Sequence, residues 1–257
     1  MATSTKTSGK PLSSIEKTCR ILACMTDPRH VRLTDIAEYS GLDLSTTLRI
    51  LKELEGQNFI ERDPLTKQYV LGPQVYAMHH AMVAGMDLKA EARPALIRLS
   101  RLFGDTVILS APMGWESVCI DLCFGDYPIR ANYLHVGSRR PLGVGAGSLA
   151  LLMAMSNAER QAVMPAVQAC MSKRYPLYST NYLNEQLQHA SNRGYAMLLE
   201  VVIQKMGGLG LAIKGPNGQP IAALSIAALT ERIVSREHEL AAALQEEVHA
   251  IEQAWLP

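Results

Sequence analysis

The sequence predicts a two-domain protein of the α/β (α+β) class, with a small, mainly helical domain followed by a larger domain of helices packed on a sheet. The length of 257 residues reaches the size, roughly 250 residues, at which one hydrophobic core stops growing. Near the N-terminus apolar side chains recur with helical spacing, and two short extended runs follow. Further along, strand-like groups alternate with helical stretches, which is typical of helices covering one antiparallel or mixed sheet.

Composition and charge exclude several classes of protein. With 48% hydrophobic and 19% charged residues, the chain is neither disordered nor fibrous. The net charge of +1 gives no general attraction to nucleic acid or to an acidic membrane. Five scattered cysteines without a secretory signal favour a reducing, cytoplasmic location over a disulfide framework. Residues 1–12 are expected to be a disordered tail, and no apolar run reaches the roughly 18 residues that span a bilayer.

The N-terminal domain begins with three predicted helices. Ser13 or Ser14 caps the first helix, whose buried face is expected to follow helical spacing. The residues of that face are Ile15, Cys19, Leu22 and Ala23. Thr34 is the expected N-cap of a short second helix, and Gly41 supplies the backbone freedom for the tight turn after it. A third helix begins near Ser45, with hydroxyl side chains in its first turn and basic ones further along.

Helices two and three form a helix-turn-helix, in which the second helix of the pair can enter the major groove of DNA. Two extended runs, residues 59–62 and 68–71, bracket a turn at Pro64 and predict a wing, which completes a winged helix-turn-helix over residues 13–72. The partner of such a domain is a double-stranded DNA operator. The residues expected to contact its bases or phosphates are Thr34, Ser45, Thr46, Thr47, Arg49, Lys52, Arg62 and Lys67. Because similar helix pairs also occur as plain packing in helical proteins, the prediction depends on the wing and on these residue types.

A linker helix is predicted for residues 73–86, because Pro73 suits a first helical turn and an apolar stripe follows it. The stripe is wider than a solvent-bridging helix needs, which favours packing against a second copy in a homodimer or homotetramer. The C-terminal domain is predicted for residues 87–257. Its strands are expected at 106–111, 117–122, 129–136, 208–214 and 221–228, and its helices at 87–103, 148–155, 183–192 and from a cap near Ser235 through Trp255.

Six segments of the sequence, in their order and spacing, resemble the IclR family of bacterial transcription regulators. They are residues 14–17, 33–42, 45–54, 139–142, 193–196 and 218–226. The resemblance implies that the chain is a transcription regulator and that its C-terminal domain is a GAF-like effector-binding domain with a pocket for a small molecule. It also implies the effector-facing positions, which are Gly145, Ala146, Leu198, Met206, Gly208, Ser225 and Ala227.

Two features of these positions bear on the chemistry of the effector. The backbone amides of the glycine-rich turn around Gly145 are suited to hold a carboxylate, although the same turn also serves as a plain connection into a helix. Small-oxoacid sensors of the family tend to carry an acid, a Cys and two Ser, whereas the matching residues here are Leu198, Gly208, Ser225 and Ala227. This change favours a larger, partly apolar or aromatic carboxylic acid, unless Leu198 and Met206 simply fill the core.

The rival hypothesis is a metabolite-binding or enzymatic module whose N-terminal helices mediate protein contacts. The local sequence contains no recognisable catalytic motif. Ser148 occupies the third glycine position of a dinucleotide-binding loop, which argues against a dinucleotide cofactor. Cys119 and Cys123 lack further metal ligands, and His79 and His80 point in different directions on a helix. We therefore expect no catalytic residue, no metal and no cofactor.

Overall fold

The structure is a computed structural model that describes residues 12–26, 30–83, 87–131, 133–176 and 178–254, with only the backbone for residues 79–83. The chain divides into two compact units between residues 86 and 87. The predicted tail up to residue 11, the last three residues of the predicted linker, and Trp255 lie outside the described residues. Among the helices that the structure describes, none combines the length and the apolar character needed to cross a membrane.

The N-terminal unit is a three-helix core closed by a two-stranded hairpin and followed by a fourth helix. Its elements are α1 Ser14–Cys24, α2 Leu33–Ser40, α3 Leu44–Gly56, β1 Ile60–Arg62, β2 Tyr69–Leu71 and α4 Pro73–Val83. The two strands pair antiparallel, with Glu61 opposite Val70. The first three helices and both strands contribute to one core, which includes Ile21, Ile36 and Leu51. The predicted winged helix-turn-helix is therefore confirmed.

Helix α1 buries a different face from the predicted one. Ser13 caps the helix as expected, in a capping box with Glu16. The core, however, receives Ile21 and Met25, at the end and the C-cap of the helix. The residues predicted to be buried are exposed or only half-buried: Ile15, Cys19, Leu22 and Ala23. Both sets satisfy helical spacing in so short a helix, and the positions of α2 and α3 select between them.

The turn between α2 and α3 forms as predicted, but the helix starts differ. Gly41 adopts a φ of 68°, the left-handed conformation that glycine enters without steric cost. Helix α2 begins at Leu33, so that Thr34 already lies in its first turn and donates its hydroxyl to Asp35. The prediction of Thr34 as N-cap is therefore wrong. Helix α3 begins at Leu44, one residue before the predicted start.

The C-terminal unit is a six-stranded antiparallel sheet with helices on both faces. Its strands, in the spatial order β5-β4-β3-β8-β7-β6, are β3 Thr106–Met113, β4 Glu116–Cys123, β5 Arg139–Pro141, β6 Ala196–Leu199, β7 Met206–Lys214 and β8 Pro220–Leu229. Its helices are α5 Leu88–Phe103, α6 Ala146–Ala154, α7 Asn157–Arg174, α8 Thr180–Arg193, α9 Thr230–Ser235 and α10 Glu237–Gln253. Side chains of β8 alternate between two cores: Leu224 and Ile226 pack with α5 and α10, and Ala223 packs with α6 and α8.

The predicted strand at residues 129–136 does not form. Between β4 and β5 the described chain is irregular, with Ala131 buried and with Ile129 and Val136 about half exposed. Apolar residues of this loop pack one by one over the sheet, in a cluster with Ile108 and Met206, instead of pairing along a strand. The loop therefore forms a cover over one face of the sheet.

Three helices and two short strands also depart from the predictions. Helix α7, which is largely exposed and contains Pro165, and the short strands β5 and β6 were not predicted. Ser235 ends α9 instead of capping the last helix, and α10 begins at Glu237 without a side-chain cap. These elements have weak local signals because they are short, largely exposed or interrupted by proline.

Candidate DNA interface and effector cavity

Helix α3 presents a polar, basic stripe on the side away from the core. The Asp43 carboxylate caps the helix, because it accepts hydrogen bonds from the Ser45 hydroxyl at 2.6 Å and from the Thr46 amide at 2.8 Å. These bonds, with that from Ser45 the largest, hold the pKa of Asp43 well below its usual range. Ser45, Arg49 and Lys52 are exposed and lie at i, i+4 and i+7, so they share one face. Neither Arg49 nor Lys52 forms an ion pair with a residue that the structure describes.

The threonines predicted to contact DNA have different environments. Thr47 is fully buried, and its hydroxyl donates to the Asp43 carbonyl at 2.9 Å. The prediction of a DNA contact from Thr47 is therefore wrong, because its position on α3 lies on the same face as Ile50 and Leu51. Thr46 is half-buried beside the exposed stripe, and Thr34 is exposed on α2.

The wing places two basic residues at the ends of a tight turn. Arg62 ends β1 and Lys67 precedes β2, and both side chains are exposed. The Lys67 amide donates to the Asp63 carbonyl at 2.9 Å, and the Asp63 amide donates to the Gln68 carbonyl at 2.9 Å. These bonds close the turn and hold the two basic residues near one another, where they suit contacts to DNA phosphates.

A cavity of about 60 Å³ lies in the C-terminal unit between the start of α6, the sheet and the loop after β4. All seven positions implied to face an effector line this cavity: Gly145, Ala146, Leu198, Met206, Gly208, Ser225 and Ala227. Gly145 precedes α6 and Ala146 begins it, and the other five positions come from three neighbouring strands, β6, β7 and β8. Tyr133 and Leu134, from the irregular loop, form another part of the wall.

Helix α6 begins in the wall of the cavity with unused amides. Gly145 precedes the helix with a φ of 101° and offers no side-chain cap. The amides of Ala146, Gly147 and Ser148 donate to no acceptor among the described residues. Because the N-terminus of a helix carries free N–H groups and a partial positive charge, this end of α6 attracts an anion.

Arg140 brings a full positive charge to the same place. It lies on β5 and lines the cavity, and its Nη1 atom lies 3.2 Å from where a Cβ on Gly145 would be. Its guanidinium carbon lies 5.2 Å from the centre of the Tyr133 ring. Within the described residues it has no hydrogen-bond or ion-pair partner of its own. Burial lowers the pKa of Arg140, and the nearby positive charge of Arg174 lowers it further.

Polar side chains that the sequence patterns did not reveal make the cavity more polar than the seven positions suggested. They are Ser110, Ser117, Cys119, Tyr133, Ser138 and Arg140. The sequence placed the pair Arg139 and Arg140 in a family-like segment, but gave no sign of which arginine has a partner. In the structure Arg139 pairs with Glu116 at 3.0 Å, which leaves Arg140 as the cation of the cavity.

The two cysteines of β4 lie in different environments. Cys119 lines the cavity, and burial raises the pKa of its thiol to about 11, so the thiol stays protonated at neutral pH. Cys123 lies 3.1 Å from the hydroxyl of Ser100 on α5. Over the described ranges, three or more His, Cys, Asp or Glu side chains do not come together at any point in a metal-binding arrangement. The side chains of residues 79 and 80 lie outside the described part of the chain.

Comparisons with known proteins agree with this architecture. The HTH-type transcriptional regulator XynR of Escherichia coli strain K12 is 28% identical over 227 residues, which cover 88% of this chain and 90% of XynR. The fold is similar to that of an IclR family regulator from Brucella abortus, with a TM-score of 0.75, 18% identity and coverage of 99% of this chain and 97% of that one. It is also similar to an IclR homolog from Microbacterium hydrocarbonoxydans in complex with 4-hydroxybenzoate, with a TM-score of 0.74, 20% identity and coverage of 94% and 98%.

Family models match both units of the chain. Residues 14–64 match the IclR helix-turn-helix domain. Residues 80–253, well over half of the chain, match the C-terminal domain of the bacterial transcriptional regulator IclR. With a winged helix-turn-helix in its N-terminal unit and family-model matches over both units, the chain belongs to the IclR family of DNA-binding transcriptional regulators.

Proposed function

We propose that this regulator reads a specific operator through α3 and the wing, and that a small, carboxylate-bearing metabolite in the cavity beside α6 controls it. The observation that carries the effector half is Arg140, a cation in the cavity wall without an acidic partner among the described residues. In this proposal the effector carboxylate accepts hydrogen bonds from Arg140 and from the amides of Ala146 and Gly147.

The charge of the cavity wall favours a carboxylate as ligand. Withdrawing a guanidinium from water without pairing it is unfavourable, and a bound anion restores the missing interactions. The planar donor fork of arginine matches the two oxygens of a carboxylate, and the dipole of α6 acts in the same direction. An alcohol or an amide lacks the charge to use this arrangement, and an amine is repelled by it.

The rest of the cavity favours an apolar group on the effector. Apolar side chains line it beyond the anion-binding end, namely Val144, Leu198, Val201, Val202 and Met206. A volume of about 60 Å³ is well below the roughly 150 Å³ of a cavity that accepts benzene. The cavity as it stands therefore has room for a compact aliphatic acid at most, and an aromatic acid requires the loop with Tyr133 to move outward. The aromatic acid in the Microbacterium homolog supports the same chemical class.

The DNA half of the proposal assigns different tasks to helix and wing. Ser45, Arg49 and Lys52 face the bases or nearby phosphates of the major groove, and Arg62 and Lys67 bind phosphates beside it. Two copies in a homodimer, or four in a homotetramer, present paired winged helices to a two-part operator. The effector then changes DNA affinity by binding one arrangement of these copies better than another.

Matched pairs of acids and their primary amides test the effector chemistry. Short aliphatic and aromatic carboxylic acids are expected to raise the melting temperature of the full chain, because a ligand stabilises the state that binds it. The corresponding amides, which have nearly the same shape but no charge, are expected to give no shift. Equal shifts from acid and amide, or no shift from any acid in the series, would contradict the proposal.

Selection from a random duplex pool tests the DNA half and identifies the operator sequence in the same experiment. The protein is expected to enrich one sequence, and Arg49→Ala and Lys52→Ala are each expected to weaken binding to it about tenfold. The rise in melting temperature caused by an acid should be the same in both variants as in the wild type. Arg101→Ala, in an exposed arginine of α5, is the matched control. Unchanged DNA affinity in both α3 variants would support the rival module in which the N-terminal helices bind protein.

A further inference from the structure

The tip of the wing carries an apolar side chain that none of the described residues covers. Leu65 is 90% exposed, more than any other large hydrophobic residue in the described part of the chain. It follows Pro64, which is also exposed, so the two apolar residues project together from the turn. Exposure of this degree gives no stability to the hairpin, because the side chain stays in contact with water when the protein folds.

The backbone that carries Leu65 is held rigidly. The Asp63 carboxylate accepts hydrogen bonds from the Leu65 amide at 2.7 Å and from the Thr66 amide at 2.8 Å. These bonds lower the pKa of Asp63, with that from Thr66 the larger, so the carboxylate stays ionised and the turn stays closed. A tip fixed in this way loses little conformational entropy when it enters a binding site.

The wing carries no net charge. Its strands and turn carry two acidic residues, Glu61 and Asp63, and two basic ones, Arg62 and Lys67. Attraction of the two basic residues to phosphates is therefore largely offset by repulsion from the two acidic ones, unlike in a wing that binds through basic residues alone. A rigid apolar tip between two basic residues fits a groove whose walls are phosphates and whose floor is made of stacked bases.

We propose that Leu65 is a wedge that enters the minor groove beside the major groove read by α3 and partly unstacks one base step there. The proposal rests on operator binding by α3 and adds a contact that selects DNA by its deformability. Apolar side chains used in this way unstack a step and kink the duplex by roughly 20–90°. Pyrimidine–purine steps are the easiest to unstack, so the flanks of the operator should contain one at the position of each wing.

The test uses the duplex that the full-length protein itself selects from a random pool. The adenine analogue 2-aminopurine, placed at each pyrimidine–purine step of the flanks, becomes brighter when its step is unstacked. The wild-type protein is expected to raise this fluorescence at one step on each side, and Leu65→Ser is expected to abolish the rise and to weaken binding about tenfold. The slope of log Kd against log salt should not change, because no charge is removed.

Two variants separate the wedge from other roles of the surface. Leu102→Ser makes the same substitution at an exposed leucine of α5 and should leave binding and fluorescence unchanged. Lys67→Ala should weaken binding and reduce the salt slope by about one, as expected for a phosphate contact.

Three outcomes would contradict the proposal that Leu65 is a wedge. Unchanged affinity and fluorescence in Leu65→Ser would show that the tip does not touch the bases. A change in oligomeric state in that variant, seen by light scattering, would make the tip a contact between copies of the chain. If the wild-type protein enriches no sequence at all, operator binding itself fails, and the wedge fails with it.

Discussion

Arg139 and Arg140 are neighbours on β5 with opposite environments. Because successive side chains of a strand point to opposite faces, one arginine reaches Glu116 and the other reaches the cavity. Arg140 has no ion-pair partner among the described residues, and this is tolerable in the absence of a ligand because the residue is only half-buried. The same partial burial makes the guanidinium a stronger anion anchor than a fully solvated side chain.

Arg140→Gln tests the anchor at the level of one residue. Carboxylate binding is expected to weaken by about ten- to a hundredfold, because a hydrogen bond to a charged group contributes about 1.5–3 kcal/mol. The free energy of unfolding without ligand should stay the same or increase, because the substitution removes a partly desolvated charge. Titration calorimetry and urea denaturation measure the two quantities. Arg101→Gln is the control. Undiminished binding in Arg140→Gln would show that the carboxylate does not bind at Arg140.

Thr47→Val tests the reassignment of Thr47 from the DNA contact to the core. The variant loses the hydrogen bond to the Asp43 carbonyl, so the N-terminal unit should become less stable by about 1 kcal/mol. Its DNA affinity, measured by fluorescence anisotropy at a temperature where the unit is folded, should match that of the wild type. A large loss of affinity with unchanged stability would mean that the hydroxyl reaches DNA after all.

The position of the anion site depends on how closely α6 approaches β7. A Cβ on Gly210 would lie 2.8 Å from the carbonyl carbon of Ala146 and 2.9 Å from the Gly147 amide nitrogen. A Cβ on Gly147 would in turn lie 2.9 Å from the Ser225 hydroxyl. Glycines therefore let the start of the helix lie directly on the sheet, where its free amides face the cavity.

Gly210→Ala should displace this helix start. We expect a loss of about 1–3 kcal/mol in the stability of the C-terminal unit, because the added methyl group meets backbone atoms that cannot rotate away. Acid binding should weaken as well, because the amides of α6 move relative to Arg140. Chemical denaturation and calorimetry check both effects. Gly56→Ala, where a Cβ meets nothing within 4 Å, is the control, and normal acid binding in Gly210→Ala would contradict the role of the amides.

The elements differ in how well local sequence predicts them. Helix α3 and the hairpin of β7 and β8 were predicted within a few residues, because amphipathic spacing and turn residues are local signals. The strand predicted at 129–136 failed, since its apolar residues pack onto a sheet assembled from distant segments. Periodicity shows that a side chain is apolar but does not show what it packs against.

On the scale of the whole molecule, the two units have separate cores. One core joins α1, α2, α3 and the wing, and the others join the six-stranded sheet to its helices. In the second unit Asp105, at the start of β3, accepts hydrogen bonds from Arg232 of α9 at 3.0 Å and from Arg236 at 2.6 Å. This buried carboxylate ties the first strand of the unit to its last helices.

Asp105→Asn should therefore destabilise one unit and spare the other. We expect a loss of at least about 2 kcal/mol, because two arginines lose their shared carboxylate. Two unfolding transitions are expected in calorimetry, since each unit has its own core, and only that of the C-terminal unit should shift downward. A carboxylic acid effector should raise the same transition and leave the other in place. A single transition that shifts as a whole would show that the units unfold together.

By itself the sequence determined the winged helix-turn-helix, the mixed class of the larger unit and seven positions around its cavity, because turns, periodicity and family-like segments are encoded locally. Only the tertiary structure decided that α1 buries Ile21 instead of Ile15, that Thr47 faces the core, and that Arg140 lacks the partner that Arg139 has. These outcomes depend on contacts between segments far apart in the chain. A spacing pattern is compatible with several such contacts, and packing and charge pairing in the folded state select one.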